Sequence, residues 1–408
     1  MPLLPASALL LAAGFLVVLV TLPLLLELLL VTVAVMVPRG RSSARASLPA
    51  IRHLAIIVPS HNEELLVAKC VESLRVSAER YKEADRPIID ILVIAHNCMD
   101  ATASCARQAG ARVLQLDDPA RRGKGEALQE GFQYAAKELG ADSFLVVDAD
   151  SEVSMSLVRE ACMALRNASV VQCRYEFRRL DTRAESRLRA VAFFCMNGIR
   201  PLGRSRLGLS SGILGNGFAF RSEVLQQVPY RAKSIVEDLE FHLALLIAGI
   251  RVAYVASALV SSEAPRSSGA LATQTARWEG GRLRMLIAVA PRMAGRVLRG
   301  DLRLIEPLLD LAGIPIAFEV ALLCLLIPLW SLWLHLYLAA AAAIIMLHLA
   351  VVIGMSPDPA GDAMSLLYAP FYVVKKILMM PSTLRMAGGR AAWIRTERVE
   401  INKSSERQ

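Results

Sequence analysis

The segment 143–150 reads S-F-L-V-V-D-A-D, an apolar run that ends in two acids separated by one alanine. Such a valine-rich run predicts a buried strand. Because side chains alternate along a strand, we expect Asp148 and Asp150 to leave the same face at its carboxyl end, where open α/β sheets bind ligands. Two crowded carboxylates favour a divalent cation that substrate phosphates also hold. For a D-x-D pair taken alone, the alternative is a solvated turn.

Strands and helices alternate in the sequence before this segment. Strands are predicted near 54–59, 88–95 and 111–116, and a helical pattern follows each of them. With 143–148 as the fourth strand, this order predicts an α/β fold with a mainly parallel sheet that helices cover on both faces.

Three further segments carry polar or glycine-rich loops. The R-R-G-K-G segment at 121–125 lets phosphates approach the backbone, and Lys124 could neutralise them. It has neither the Walker nor the dinucleotide spacing, so an exposed turn is the alternative. The G-I-L-G-N-G-F segment at 212–218 is either a ligand-accommodating loop or an ordinary flexible turn. The acids of V-E-D-L-E at 236–240 begin a helix, where the helix dipole alone could explain them.

Long apolar segments predict membrane helices in a chain whose hydrophobic content is 55%. Residues 8–37 contain one charge, Glu27, and are long enough to cross a bilayer as an uncleaved anchor. Residues 308–330 and 333–355 predict a helical hairpin. Residues 283–298 alternate apolar and arginine positions, which favours an amphipathic helix in the membrane interface over a core helix.

Basic residues flank the predicted spans, and the turn inside the hairpin has none. They are Arg39, Arg41, Arg45, Arg299, Arg303, Lys375, Lys376, Arg385 and Arg390. The positive-inside rule therefore predicts that the domain after the first span and the C-terminal tail are cytoplasmic, in the inner or plasma membrane if the protein is bacterial. The segment Met364–Met380 contains Pro370 and two lysines. We interpret it as an interfacial helix, with a fourth span as the alternative.

The predicted division of the chain has five parts. They are an N-terminal transmembrane anchor at 1–37, a cytosolic domain at 38–281, an amphipathic interfacial segment at 282–307, a transmembrane hairpin at 308–355, and an interfacial helix with a basic cytosolic tail at 356–408. Seven scattered cysteines without a C-x-x-C pair fit reduced thiols in a cytosolic domain. The net charge of +9 is attributed to arginines facing membrane lipids and to a phosphate-bearing substrate. Nucleic acid is not an expected partner, since aromatic and basic residues do not interleave.

Seven short motifs follow one another between residues 54 and 278: P-S-H-N-E-E, N-C-M-D, G-K-G, D-A-D, G-N-G, V-E-D and Q-T-A-R-W. In this order they resemble the inverting family 2 glycosyltransferases. The resemblance is closest to the membrane-embedded branch with cellulose, hyaluronan, chitin and poly-N-acetylglucosamine synthases. It implies a GT-A fold that binds a nucleotide sugar, and a metal-dependent hexosyltransferase that inverts the anomeric carbon.

The resemblance also implies roles for individual residues at the donor site. Ser60 and Glu63 would line the nucleoside pocket near His96 and Asn97, and Lys124 would contact the nucleotide. The family usually has an acid at the position of His96, where it contacts the uracil imino group. A neutral histidine can accept a hydrogen bond, but this departure weakens the expectation of a UDP-linked donor.

The remaining implied residues would carry out the transfer. Asp150 would bind Mg²⁺ or Mn²⁺, Asp148 would help to engage the diphosphate, and Asp238 would act as general base. Three residues of the Q-T-A-R-W motif would hold the diphosphate and shape the acceptor entrance: Gln274, Arg277 and Trp278. These residue types suit the chemistry, because the leaving group gains negative charge and one carboxylate can deprotonate the acceptor hydroxyl.

The expected function is transfer of a sugar, UDP-linked by the resemblance, to a lipid-linked or growing polysaccharide acceptor at the cytoplasmic face. A processive synthase that secretes its product is the first alternative. Because about three membrane helices are few for a channel, secretion would require an oligomer or a separate partner. A nucleotidyltransferase and a non-catalytic membrane scaffold are the alternatives from other classes.

Overall fold

A computed structural model describes residues 6–37, 48–178, 182–231, 234, 236–263 and 268–387. Several residues on which the predicted orientation rests lie outside this part of the chain. They are Arg39, Arg41, Arg45 and Arg390. The end of the predicted basic tail, 388–408, also lies outside it.

The described residues form one sheet and a set of helices. The strands are β1 His53–Ser60, β2 Ile88–His96, β3 Arg112–Leu116, β4 Ser143–Val146, β5 Ser151–Val153, β6 Val170–Arg178, β7 Phe218–Arg221 and β8 Val252–Glu263. The helices are α1 Ala6–Met36, α2 Val67–Arg80, α3 Thr102–Gln108, α4 Lys124–Lys137, α5 Leu157–Ala164, α6 Ala184–Phe194, α7 Arg200–Arg206, α8 Glu223–Gln227, α9 Glu237–Ile247, α10 Ser268–Leu298, α11 Ile305–Ala312, α12 Ile316–Cys324, α13 Leu332–Gly354, α14 Pro359–Ser365 and α15 Ala369–Ala387.

The eight strands lie in the order β3-β2-β1-β4-β7-β6-β8-β5. The first four are mutually parallel, as the alternation of strands and helices predicted. Strand β7 then enters antiparallel between β4 and β6, and β8 runs parallel to β6. The α/β class is confirmed, and the sheet is mixed.

Helices cover both faces of the sheet because side chains on the central strand alternate. Leu54, Ile56 and Val58 of β1 are fully buried in a cluster with apolar residues of α2 and α5. Ala55 and Ile57 point to the opposite face and join a cluster with residues of α4 and α9. Each large apolar side chain buried in this way contributes about 1.5–3 kcal/mol, which makes β1 the centre of the core.

The carboxyl ends of the parallel strands lie on the same side of the sheet, and the candidate residues lie there. Strand β1 ends at Ser60 and β2 ends at His96. Strand β4 ends at Val146, so Asp148 and Asp150 lie in the turn after the strand and not on one of its faces. The turn is closed by Ser151 N, which donates to Asp148 O over 3.0 Å. The expectation based on strand alternation was therefore wrong, although the acids do lie at the carboxyl edge.

Three helices in the described chain are long and apolar enough to cross a membrane: Leu10–Met36, Leu332–Gly354 and Pro359–Arg385. The predicted span 308–330 is not one straight helix. Helices α11 and α12 meet at an angle of 76°. The break falls at Gly313 to Pro315, because proline lacks an amide hydrogen and disfavours helix in the residue before it.

The helices after the sheet form a continuous packed group. Helix α10 runs without a break through the predicted domain boundary at 281/282 and through Pro291. Helix α15 packs against α10. The segment that we interpreted as interfacial lies within Pro359–Arg385, the third helix long enough to span.

Candidate active site

The glycine-rich loop that follows α7 is the structural centre of the site. Gly212, Gly215 and Gly217 have φ of +95°, +78° and +71°, a region that side chains other than glycine rarely adopt. A Cβ at Gly215 would lie 2.9 Å from Oδ2 of Asp238. The missing side chain therefore lets the loop lie directly against Asp238 at the start of α9.

Asn216 holds the turn that carries the two acids. It is almost fully buried, its Oδ1 accepts a hydrogen bond from Asp148 N (3.1 Å), and its Nδ2 donates to Ser151 Oγ (2.8 Å). Gln172 of β6 supports this loop in turn, because its Nε2 donates to Asn216 O over 2.7 Å. We did not single out Gln172 from the sequence. Its signal is a glutamine inside the otherwise apolar strand segment V-V-Q-C, where a buried amide needs partners.

Lys124 connects the loop to the acids. Its Nζ lies 2.5 Å from Asp148 Oδ1 and donates to Gly215 O over 2.6 Å. Burial opposes the charged form, but the charges of Asp148 and Glu237 raise the pKa of Lys124 above its usual value. The lysine is therefore a fixed positive charge, and it stands at the first turn of α4, whose dipole also favours anions.

Three carboxylates lie close to this lysine, Asp148, Glu237 and Asp238, and a fourth, Asp150, lies close to Asp148. Burial raises the pKa of Asp148, and the nearby charge of Asp150 adds to that effect. Burial likewise raises the pKa of Glu237 to about 7. Glu237 was not selected from the sequence. The cluster has more negative than positive charge, which is the environment that a divalent cation would stabilise.

The donor set fits a metal that shares its ligands with a substrate. In the described part of the chain, no three His, Cys, Asp or Glu side chains form a metal-binding group. Asp148 and Asp150 supply hard oxygen ligands on one turn, and Mg²⁺ or Mn²⁺ commonly completes such a set with phosphate oxygens and water.

Asp238 at the start of α9 is subject to opposing influences on its pKa. Burial raises its pKa, while the hydrogen bond from Leu239 N to Oδ1 (2.8 Å) and the charges of Lys124 and Arg277 oppose that shift. Because Oδ1 is held by the backbone, Oδ2 is the oxygen that faces the loop at Gly215. The charge of Arg277 lowers the pKa of Asp238, so the Q-T-A-R-W segment of α10 lies near this carboxylate.

The Q-T-A-R-W segment brings its polar atoms into the protein interior. Gln274 Oε1 and Arg277 Nε are buried and find no hydrogen-bond partner within the described residues. Trp278 is 38% exposed, and its ring centroid lies 6.3 Å from that of Phe193. Phe193 in turn stacks on Phe177 at 3.8 Å. The tryptophan is thus the exposed end of an aromatic group beside polar atoms that a ligand could satisfy.

The residues predicted to line the nucleoside pocket lie at the carboxyl ends of two neighbouring strands: Ser60 and His96 end β1 and β2, and Glu63 and Asn97 lie in the loops that follow. Ser60 and His96 are buried, and burial lowers the pKa of His96, so its ring is neutral at pH 7. Asn97 adopts φ of +51°, and its Nδ2 donates to Asp118 O and Arg121 O, both over 3.0 Å. The backbone of Glu63 is held in the loop, because its N donates to Thr102 Oγ1 (2.7 Å). The structure thus gives Asn97 a loop-fixing contact that the sequence did not predict.

The structure brings one part of the predicted set together around Gly215. Lys124, Asp148, Asp150, Asp238 and Arg277 interact there through contacts or through their charges. The residues predicted to line the nucleoside pocket lie at the neighbouring ends of β1 and β2, where hydrogen bonds join the adjoining loops.

Several solved structures are similar to this chain. A mannosyltransferase from Pyrobaculum calidifontis in complex with GDP-Man and Mn²⁺ is 18% identical, with a TM-score of 0.54, and the match covers 94% of this chain and 96% of that one. This likeness shows the GT-A fold. Glucosyl-3-phosphoglycerate synthase from Mycobacterium tuberculosis is 23% identical with a TM-score of 0.38, covering 55% of this chain and 76% of that one. Mannosyl-3-phosphoglycerate synthase from Rubrobacter xylanophilus is 20% identical with a TM-score of 0.39, covering 55% and 71%.

Among curated proteins, no sequence matches the chain. The family comparison is decisive, because a model described as glycosyltransferase-like family 2 matches residues 49–281, more than half of the chain. The matched range contains every candidate residue described above, and the chain belongs to the glycosyltransferase-like family 2.

Proposed function

We propose that the protein is a membrane-bound, metal-dependent, inverting glycosyltransferase. It transfers a sugar from a nucleoside-diphosphate sugar to a lipid-linked or growing polysaccharide acceptor at the cytoplasmic face. The observation that carries this proposal is the arrangement around Gly215, which combines a turn with two acids, one lysine and a separate carboxylate on α9. Such a site can bind a diphosphate leaving group on one side and deprotonate an acceptor on the other.

The leaving group is stabilised by positive charge and by the metal. Lys124 and Arg277 would contact the phosphate oxygens as negative charge builds on the departing diphosphate. Mg²⁺ or Mn²⁺ on Asp150, with help from Asp148, would supply Lewis-acid stabilisation of that charge. Because Lys124 contacts Asp148 and Gly215 O, its ammonium is already oriented toward the acids before the donor binds.

Asp238 takes the proton of the acceptor hydroxyl. A carboxylate whose pKa is raised by burial is a stronger base, and the charges of Lys124 and Arg277 partly oppose that rise. Direct attack of the acceptor on the anomeric carbon, from the side opposite the diphosphate, gives inversion in one step. Gln274 and Trp278 would help to hold the diphosphate and shape the entrance for the acceptor.

The nucleotide of the donor is the open part of this proposal. The resemblance to family 2 synthases favours UDP, with Ser60, Glu63, His96 and Asn97 in the nucleoside pocket. A GDP-linked donor is the second candidate. His96 stands where an acid usually contacts uracil, and the Pyrobaculum mannosyltransferase, similar along nearly the whole chain, was solved with GDP-Man and Mn²⁺.

The candidate membrane helices favour an acceptor that is either anchored in the membrane or exported across it. We propose that residues 1–37 and 308–355 are membrane segments, that 38–281 form the cytosolic domain, and that 282–307 and 356–408 lie at the cytoplasmic interface. The small number of candidate spans favours single transfer to a lipid-linked acceptor, while the Q-T-A-R-W motif favours repeated transfer. An oligomer or a secretion partner would be needed to export a long polymer.

A donor screen tests the proposal directly. Purified protein is incubated with UDP- and GDP-sugars, lipid extract and Mg²⁺ or Mn²⁺, and the released nucleotide is measured. We expect release of a nucleoside diphosphate that EDTA abolishes. A ladder of products would indicate processive synthesis, and a single product would indicate single transfer. Release of pyrophosphate would instead indicate a nucleotidyltransferase.

Two variants and one control test the roles of the acids. Asp150→Asn and Asp238→Asn should each lower kcat by about 10²–10⁴-fold, because they remove a metal ligand and a general base. Asp238→Asn should still bind the nucleotide with metal, measured by calorimetry. Glu240→Gln, two residues further along α9, should retain activity. Full turnover in both aspartate variants would overturn the mechanism.

A further inference from the structure

Helix α7 is docked closely on the first membrane helix. A Cβ at Gly203 would lie 2.6 Å from the backbone oxygen of Val31 in α1, so only glycine allows this approach. Arg206 binds the end of α1, because its Nη1 donates to Ala34 O (3.1 Å), to Val35 O and to Val37 O (3.1 Å). These contacts fix the seven-residue helix against the carboxyl end of α1.

A partly buried ion cluster extends the same interface. Arg200 Nη2 lies 2.7 Å from Glu27 Oε1 of α1 and 2.6 Å from Asp310 Oδ1 of α11. Arg204 is 2% exposed, and its Nη1 lies 2.9 Å from the same Glu27 oxygen. Its Nη2 also pairs with Glu306. Because Arg204 is buried and its partners are partly buried, loss of one member leaves a charge without its partner in a poorly solvated place.

Arg204 has one contact that the rest of the cluster lacks. Its Nε donates to Ser210 O over 2.8 Å, at the start of the glycine-rich loop. Ser210 Oγ accepts from Val252 N (3.0 Å) and lies 3.0 Å from His242 Nε2 of α9. Burial lowers the pKa of His242 to about 4, so this contact is between neutral groups at pH 7.

The same loop reaches the active site five residues later. Gly215 O accepts from Lys124, and Asn216 Oδ1 accepts from Asp148 N. His242 lies one helical turn after Asp238 on α9. Arg204 therefore holds the beginning of the loop whose end contacts the lysine and the acid turn, and whose serine contacts the helix that carries the base.

We propose that Arg204, paired with Glu27 of the first membrane helix, is a positioning residue for sugar transfer. It sets the loop at 210–217, and through it the geometry of Lys124, Asp148 and Asp238, relative to the docked membrane helix. The kinetic part of this inference rests on the proposed function. The first helix then has a role in assembling the site in addition to membrane anchoring.

Arg206 provides a matched control for this proposal. It lies on the same short helix and contacts the same membrane helix, but its hydrogen bonds end on backbone oxygens of α1. A variant at Arg206 weakens the docking of α7 without removing the bond to Ser210. A purely anchoring role predicts equal effects of the two arginines, whereas positioning predicts that they differ.

The test compares Arg204→Gln with Arg206→Gln in the full chain, purified in the same lipid nanodiscs. We expect Arg204→Gln to lower kcat about tenfold or more, as displacement of catalytic groups does, while the KM for the donor changes less. Arg206→Gln should keep kcat within about twofold of the wild type at a similar loss of thermal stability. Arg204→Lys keeps the charge but cannot serve all three partners, so it should recover only part of kcat.

Hydrogen exchange gives a second measurement that does not depend on the assigned activity. Arg204→Gln should increase exchange at residues 209–217, and Arg206→Gln should increase it at 31–37 instead. Full kcat in Arg204→Gln, or unchanged exchange at 209–217, would overturn the positioning role. If the wild type transfers no sugar, the proposed function fails, and the exchange comparison still decides whether Arg204 holds the loop.

Discussion

Gly215 is the residue at which the loop and the helix carrying the proposed base meet. Substitution by alanine would combine two costs, a φ of +78° and a Cβ 2.9 Å from Asp238 Oδ2. We expect Gly215→Ala to lower kcat about tenfold or more, because the carboxylate must move. It should also destabilise the fold by about 1–2 kcal/mol through the strained backbone. Nucleotide release and thermal unfolding measure the two effects.

A variant at Gly208 separates the effect of backbone strain from that of contact with Asp238. The φ of Gly208 is +75°, and no atom lies within 4 Å of where its Cβ would be. Gly208→Ala should therefore lose similar stability and keep kcat within about twofold. Equal losses of kcat in the two variants would show that strain, and not contact with Asp238, limits the reaction.

Glu237 makes stability depend on pH. Burial raises its pKa from 4.5 to about 7, so between these values the folded protein binds more protons than the unfolded chain. Stability from this group is therefore present at low pH and is lost as the pH rises through about 7. Glu237→Gln, which stays neutral, should raise Tm by a few degrees at pH 8 and by much less at pH 5. Scanning calorimetry at both pH values checks this, and an equal shift at both would contradict it.

At the scale of elements, α15 is held to the catalytic domain by two lysines in its middle. Lys376 pairs with Glu279 of α10, with side chains only 11% and 16% exposed. Lys375 pairs with Glu185 of α6 at 2.6 Å, with side chains 36% and 33% exposed. These pairs explain how an apolar helix with two central charges can lie against the protein.

The two lysines should differ in their contribution to stability. Lys376→Met leaves Glu279 unpaired in a mostly buried place, and we expect a loss of about 2–3 kcal/mol. Lys375→Met removes a more exposed pair, which contributes about 1 kcal/mol or less. Thermal unfolding in one detergent measures both. A larger loss for Lys375→Met would contradict the docking of α15 through Glu279.

Elements also show where sequence patterns succeed and where they fail. The four parallel strands and their helices follow from local patterns, since each strand is a short apolar run and each helix has one apolar face. The break between α11 and α12 was missed because the apolar pattern continues across Gly313 and Pro315. A hydropathy pattern records length and apolarity, but it does not record the 76° bend.

At the scale of the whole molecule, the arrangement predicts a sidedness that can be measured. The positive-inside rule places the domain in the cytoplasm and the exposed Trp330, at the turn before α13, on the far side. In right-side-out vesicles, added protease should leave the segment 48–263 intact, and in inside-out vesicles it should cleave it. Cleavage in right-side-out vesicles alone would reverse the proposed topology.

The candidate site was predictable as a set of motifs and not as a geometry. Lys124, Asp148 and Asp150 have residue types that suit diphosphate binding, and Asp238 was selected because its position matches the V-E-D motif of the family. The residues that support them were not selected. Gln172 and Arg204 contact Asn216 and Glu27, which are distant in sequence, and a local pattern such as the glutamine in V-V-Q-C indicates a need for partners but does not identify them.

The sequence by itself determined the alternating elements, the lengths of the apolar segments and the chemical types gathered in the motifs. These properties are local, because a strand, a helix or a loop motif is written in consecutive residues. Only the tertiary structure decided that β7 enters antiparallel beside β4 and that the two acids lie in a turn. It also decided that Glu237 lies close enough to interact with the charge of Asp148. The reason is physical: charge interactions and buried hydrogen bonds depend on distances between segments, and long-range packing sets those distances.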